Sequence, residues 1–262
     1  MALSAALGVH VQTPIIIAAH PDDEVLGAST VLAQLPGITI AHVTDGAPRN
    51  MYDVRRHGFE TCEEYAAARH LEFTDALAAG GVRADCLRMN FADQTASYQM
   101  RKIAISLAEI LRARKPDFVF THPYEGGHPD HDACALAVHA AVRLACMDTS
   151  RIWEFTSYHW FNGQLRTTEF LAGDENVKTV NLTPAQQQTK RRMLACFRTQ
   201  QETLNMFDGV VERYRPAPMY DFTKPPHDGK LYYEMHDWGV TGDKFRQEAK
   251  RCLCELGLRG EI

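Results

Sequence analysis

The sequence predicts an α/β fold: a mostly parallel sheet with helices on both faces and its ligand site at the carboxyl ends of the strands. Three observations carry that reading. Short β-rich runs alternate with longer helical patterns through the first 145 residues. The runs are compact and apolar, as strands buried on both faces are. The two densest clusters of His and Asp each follow directly on such a run, at the edge where open α/β sheets hold their ligands.

Taken in order, Ile15–Ala19 reads as the first strand and Val25–Leu35 as the first helix. Ile38–Thr44 is the next strand, ended by Asp45-Gly46, a turn dipeptide. Glu60–Ala79, rich in Ala, Glu and Arg, reads as a long helix stopped by Gly80-Gly81. Cys86–Phe91 and Asp117–Thr121 are strand candidates, and Ile103–Ala113 and Ala133–Ala145 are helices. After Asp148 the alternation lapses. Glu154–Phe161 and Val177–Leu182 read as strands, Pro184–Thr199 and Asp243–Leu256 as helices, with Gly257 as the final stop.

Residues 204–238 show no period, yet they hold Tyr214, Tyr220, Phe222, Tyr232, Tyr233 and Trp238 among several prolines. Linkers are not aromatic-rich, so this stretch is expected to be a packed functional loop. Tyr214–Trp238 is expected to form part of a substrate entrance, the alternative being rings that plug a hydrophobic face far from the site. No internal repeat or low-complexity segment occurs, and residues 1–262 are expected to form one domain.

Hydrophobic residues make up 45% of the chain and charged residues 23%, an ordinary globular balance that excludes a disordered tail, a collagen-like rod and a membrane bundle. A formal net charge of −5 argues against a nucleic-acid partner. Seven cysteines without a Cys-x-x-Cys pair read as small hydrophobes in a reducing compartment. The first 21 residues carry no charge, but they lack a basic start and are broken by His10, Gln12 and Pro14, so no export signal is expected. No run of 18 apolar residues occurs, so no membrane span is expected and the location expected is cytoplasmic.

Two motifs carry chemistry. His20-Pro21-Asp22-Asp23-Glu24 follows the first strand and opens the first helix. Acids favour a helix's first turn, which accounts for the three carboxylates but leaves the histidine unexplained. His128-Pro129-Asp130-His131-Asp132 follows Asp117–Thr121 and the pair Gly126-Gly127. Both motifs lie at carboxyl ends of expected parallel strands, hence on one edge of the sheet. Together they offer two histidines and a carboxylate as ligands, with a spare carboxylate and a spare histidine. Three protein ligands and an open position define a catalytic zinc site. The spare groups are what metal-assisted hydrolysis also needs. Spacing does not choose between His128 and His131. His10, His42, His57, His70 and His139 read as ordinary structural histidines.

The paired motifs resemble the zinc-dependent de-N-acetylases of the PIG-L or LmbE-like family, whose known substrates are mostly N-acetylglucosaminyl conjugates and whose fold is Rossmann-like. Arg69-His70-Leu71-Glu72 is similar to the family's Arg-x-x-Glu helix, Asp93 stands where relatives carry an acid, and Lys190 to Gln200 is similar to its Lys…Gln helix. The resemblance covers about residues 14–200 and, less closely, Glu212–Arg215. It implies His20, Asp23 and His131 as ligands of one zinc ion and Asp22 as general base. His128 would stabilise the oxyanion and help protonate the leaving amine, and Asp130 would hold the His128 ring. Arg69 and Asp93 would contact an acetamido sugar or sugar conjugate, the small-molecule partner the resemblance implies. Many relatives carry an aromatic residue two positions before the first histidine of the second motif. Here that position is Gly126, and Tyr124 is the nearest tyrosine.

Other chemistries fit less well. A metal phosphoesterase would want bridging carboxylates, which Glu24 and Asp132 can supply, but no basic cluster awaits phosphate. No Gly-x-Gly-x-x-Gly follows the first strand, which removes the usual dinucleotide reading. Non-haem iron would accept the same ligands, though the spare Asp22 favours hydrolysis. A non-catalytic sugar-binding module would not need the complete set of catalytic residues.

Overall fold

A computed structural model describes residues 7–35, 37–171 and 176–262. The described strands are β1 (Ile15–Ala18), β2 (Ile38–Pro48), β3 (Ala84–Asp93), β4 (Val119–Thr121), β5 (Ile152–Phe155), β6 (Tyr158–Phe161), β7 (Gln164–Thr167), β8 (Lys178–Asn181) and β9 (Val211–Pro216). The helices are α1 (Asp23–Gln34), α2 (Tyr52–Arg56), α3 (Cys62–Gly80), α4 (Met100–Arg114), α5 (Pro129–Leu144), α6 (Pro184–Leu194), α7 (Gln201–Leu204) and α8 (Gly242–Glu255). Seven strands form one sheet in the order β3-β2-β1-β4-β5-β9-β8, while β6 and β7 form a separate hairpin. Pairing from β3 across to β5 is parallel, and β9 and β8 are antiparallel.

Alternation along β1 explains its uninterrupted apolar run. Ile15 and Ile17 join a core that includes Leu107 of α4, Leu136 of α5 and Phe245 of α8. Ile16 and Ala18 face the other way, into a core with Val25 of α1, Phe73 of α3 and Met193 of α6. Both faces are covered, so neither set is polar. The chain runs from β1 outward to β3, then returns to β4 on the other side of β1. The sheet therefore reverses its winding between β1 and β4, and the loops leaving these two strands bound the crevice where open α/β sheets hold ligands.

The expected elements are largely present, with four differences. Strand β2 runs past Asp45-Gly46 to Pro48, because register shifts after His42 and Thr44 absorb the dipeptide as bulges. Glu154–Phe161 is not one strand: β5 stays in the sheet, whereas β6 leaves it to pair with β7. Helix α6 stops at Leu194, and Arg198–Gln200 forms a separate 3₁₀ turn. Residues 204–238 are not one loop, since they contain β9. No helix among the described residues is long and apolar enough to cross a membrane, and all seven cysteines are free thiols.

Candidate metal and substrate site

The first motif leaves β1 under tight backbone control. The Ala19 carbonyl accepts from the Thr44 amide and hydroxyl, both at 2.9 Å, and the Ala19 N–H donates to His122 Nε2 at 3.0 Å. The loop is thereby fixed to the ends of both neighbouring strands. Asp23, the first residue of α1, folds its carboxylate back to accept the His20 N–H at 2.7 Å. Helix α1 is then broken at Ala28, whose φ/ψ of −139°/31° is not helical. The break exposes the Ser29 and Thr30 amides, which donate to the Glu212 carboxylate of β9 at 2.9 and 3.0 Å. Lys190 of α6 donates to Glu212 at 2.8 Å and to the Leu26 carbonyl at 2.6 Å. A buried anion at the restarted helix is favoured by the amides and the helix dipole together.

The second motif is a glycine turn entering α5. His128 is the N-cap, its Nδ1 accepting the Asp130 N–H at 3.1 Å. Asp132 closes the turn by accepting the Glu125 and Gly126 amides at 3.2 and 3.1 Å. Gly127 is required by close approach: a Cβ there would lie 1.9 Å from the Tyr158 carbonyl oxygen. Gly126 has φ +71°, and a Cβ would come within 2.6 Å of Leu231.

Asp23 is the centre on which the two motifs converge. One carboxylate oxygen is 3.3 Å from His20 Nδ1 and 3.3 Å from His122 Nε2; the other is 3.2 Å from His131 Nε2. The far nitrogen of His131 is 3.4 Å from Ser157 Oγ, which turns Nε2 inward. The His20 and His131 rings lie 5.2 Å apart, and His128 is 4.6 Å from His20. Among the described residues, three overlapping groups of buried donors are close enough to hold one ion: His20, His128 and His131; Asp23, His122 and His131; His20, Asp93 and Asp130.

The electrostatics suit a divalent cation. Asp22, Asp23, Asp93 and Asp130 are all buried here, and Arg69 donates to Asp22 Oδ2 at 3.0 Å. Burial, then the nearby His122, push His131 down to about 4 against the opposing pull of the Asp23 carboxylate, so its ring is neutral. Burial works against the Asp23 anion, but His131 and His122 outweigh it and hold the carboxyl well below its usual range. A neutral imidazole and an ionised carboxylate are the forms that bind metal. Asp93 is also held low, since His20 outweighs the cost of burial. Burial likewise opposes the charged His20, yet Asp93, Asp130 and Asp23 raise it well above an ordinary histidine. Asp22 is different: burial pushes it up to about 6, with Arg69 pulling the other way.

Every residue expected at the site is at or beside it, though some contacts differ from expectation. Asp130 does not hold the His128 ring with its carboxylate. That group accepts the Gln94 and Ala96 amides at 2.6 and 3.0 Å and lies 3.5 Å from His20 Nε2. Only the Asp130 backbone N–H meets His128, because Asp130 points back from the first turn of α5 towards the loop after β3. Arg69 is buried against Asp22 and the Gly46 carbonyl, and Asp93 accepts from His20 Nε2 at 3.1 Å; both still line the cavity. Glu24 accepts from His42 at 2.9 Å, so neither it nor Asp132 is turned towards the donors. Tyr124 donates to the Lys224 carbonyl and packs on Phe222 and Phe245, away from the site.

Sequence reasoning missed His122, which is fully buried, stacks on His131 at 4.0 Å and leaves Nδ1 unpartnered. Its signal was available: a histidine immediately after a buried strand, at the ligand edge of the sheet. Trp238 was noticed only as part of a segment, and that segment divides. Tyr214, Phe222 and Tyr233 are core, whereas Tyr232, His236 and Trp238 line the cavity.

The cavity has a volume of about 880 Å³, at the upper end of small-molecule sites. Its inner end is the His/Asp cluster. One outer wall is the α2 region, with Tyr52, Asp53 and Arg56, and the other is residues 198–206.

Comparison with known proteins places this arrangement. The family model described as "PIG-L: GlcNAc-PI de-N-acetylase" matches residues 15–142, which include both motifs. A probable N-acetyl-alpha-D-glucosaminyl L-malate deacetylase 2 of Bacillus subtilis is 32% identical over 154 residues, covering 52% of this chain and 67% of that protein. Its Bacillus cereus counterpart is 26% identical over 132 residues, covering 49% of this chain and 60% of that protein. The chain thus spans 60% and 67% of the lengths of these relatives. Among solved structures, the zinc-inhibited form of teicoplanin deacetylase Orf2 superposes with a TM-score of 0.60 at 15% identity, over 80% of this chain and 99% of that one. N,N'-diacetylchitobiose deacetylase from Pyrococcus horikoshii gives 0.56 at 18% identity, over 81% and 89%. At such identities the structural likeness carries the fold. The matched span and the B. subtilis relative carry the lineage, and this chain belongs to the PIG-L family.

Proposed function

We propose that this protein is a zinc-dependent hydrolase that removes the N-acetyl group from an acetamido sugar or an N-acetylglucosaminyl conjugate, releasing acetate. One observation carries the reading: both motifs converge on Asp23, with Asp22 beside it as a carboxylate that has no role in the donor cluster. His20, Asp23 and His131 would hold the ion, a His₂Asp set with room for a further ligand. A divalent cation held there supplies Lewis acidity, which polarises a carbonyl and favours deprotonation of water.

The chain's own residues supply the rest. Asp22 takes a proton from the attacking water. Its proton affinity, raised to about 6 by burial, is suited to that near neutral pH. Arg69 fixes the carboxylate and keeps it ionised between turnovers. As the carbonyl carbon becomes tetrahedral, negative charge develops on its oxygen. His128 accepts at Nδ1 from Asp130, so its neutral ring carries a proton on Nε2 that can donate to that oxygen. The resemblance implied a protonated His128 that also helps protonate the amine. Burial, with His20 and His131 nearby, holds this ring well below its ordinary value, which favours a neutral donor. The proton on Asp22 then goes to the departing nitrogen. The C–N bond breaks with its electron pair on nitrogen, leaving a free amine and acetate.

Incubation of the zinc-loaded protein with a panel of acetamido sugars and sugar conjugates, read by mass spectrometry, tests the reading. Loss of one acetyl group with appearance of acetate is expected, abolished by Asp22→Asn. A protein with about one zinc per chain and no deacetylation across the panel would overturn it.

A further inference from the structure

The stretch between β9 and α8 returns to the second motif as a strap. Leu231 fills the space that a side chain at position 126 would need, and the Tyr232 N–H donates to the Gly126 carbonyl at 2.8 Å. Glu234 accepts the Leu231 amide at 3.1 Å and the Gly242 amide at 2.8 Å, and the Tyr98 hydroxyl donates to the Gly239 carbonyl at 2.7 Å. Both ends are therefore tied down, while Met235, His236 and Asp237 between them are exposed.

What the strap delivers is Trp238. Its ring lies 4.6 Å from that of His128, tilted by 43°. His236 stacks on the indole at 4.4 Å and 13°. Tyr232 meets Tyr158 edge-on at 5.5 Å, and Tyr158 lies 5.5 Å from His131. The His128 ring has one hydrogen bond among the described residues, from the Asp130 amide to Nδ1. A ring held at one atom can still pivot, which would sweep Nε2 through an arc; a flat surface against its side removes that freedom.

We propose that Trp238 is a positioning residue for His128, and that docking of the strap on Gly126 sets where the indole stands. This rests on the deacetylase reading, in which His128 donates to the developing oxyanion. A donor displaced by about 1 Å loses much of its effect on the transition state and little of its effect on substrate binding. Trp238→Ala should therefore lower kcat at least ~10-fold with KM within about threefold of normal, and with metal content and melting temperature unchanged. Trp238→Phe, which keeps a flat ring, should restore most of the loss. Gly126→Ala should act through the strap, and Trp238→Ala added to it should cost little more than either change alone.

A second readout does not depend on the substrate. The ring-proton NMR signals of His128, identified by their absence in His128→Gln, should broaden in Trp238→Ala and sharpen again in Trp238→Phe, while those of His139 stay in place. A loss confined to KM, or His128 signals that shift with the lost indole ring current but do not broaden, would overturn the proposal. Wild-type protein that hydrolyses no acetamido sugar would sink the deacetylase reading, whereas the NMR comparison would still decide whether Trp238 fixes the ring.

Discussion

At the inner end of the cavity His20, Asp22, Asp23 and His131 are buried and tied to one another or to backbone, whereas at its mouth Tyr52, Arg56, Arg198 and His236 stand exposed. The inner groups sit on two loops, each fixed to neighbouring strands and to the first turns of α1 and α5. The outer walls are joined by Arg56 and Glu202, an ion pair in water of the kind that contributes little. The inner end also lies within the span matched by the family model, and residues 198–206 and 231–238 lie beyond it. Chemistry that needs fixed geometry is thus built from crowded groups with many partners. The mouth, by contrast, presents exposed side chains such as Tyr52, Arg56 and Arg198, which have few buried partners to disturb.

Five experiments probe that contrast, beginning with the largest effect. Asp23→Ala and His131→Ala should each lose bound metal and reduce turnover by more than ~10³-fold, checked by elemental analysis alongside kinetics; stoichiometric metal in His131→Ala would remove it from the ligand set. Lys190→Met leaves Glu212 buried without its cation, and breaking one side of such a pair costs about 3–5 kcal/mol. Chemical denaturation should show that loss even though Lys190 does not line the cavity.

Asp22→Asn should keep its metal and lose at least ~10²-fold in kcat. Asp22 works as the anion, and with its pKa raised to about 6, kcat/KM should fall as pH drops through that region. Arg69 favours the anion, so Arg69→Met should move the fall to higher pH; an unmoved limb would show that Asp22 is not the group titrating. The smallest effect belongs to the mouth. Arg56→Ala should change stability by less than ~1 kcal/mol and act, if at all, on KM for bulky conjugates, as a comparison of small and extended substrates would reveal.

The strands of the parallel core were legible because β1 and β4 are short apolar runs with both faces covered. Strand β9 was not, because its inward residues include Glu212 and Arg215, buried charges that erase the usual alternation. Tyr158–Phe161 continues the β-rich run from Glu154, and nothing local marks that it joins a different sheet. At the site, the two motifs were enough to bring His20, Asp23, His128 and His131 to one edge of the sheet, because spacing around a strand end and a helix start fixes which side chains face it; the roles given to them came from the likeness to a family. The partners were not legible. Asp130 turning to the Gln94 and Ala96 amides, His122 under Asp23 and Trp238 against His128 are contacts between segments 34 to 110 residues apart, decided by packing rather than by local pattern.

The break in α1 has a consequence for how the protein comes into being on the ribosome. Ser29 and Thr30 wait for a carboxylate that lies 183 and 182 residues later in the chain. All three expected metal ligands are synthesised well before it. Until Glu212 emerges, the helix that carries Asp23 lacks the anion that caps its second half, and Lys190 lacks its counter-charge. A nascent chain can therefore hold the full set of ligands without the rigid frame that aligns them, and the last strand to enter the sheet completes the first loop made.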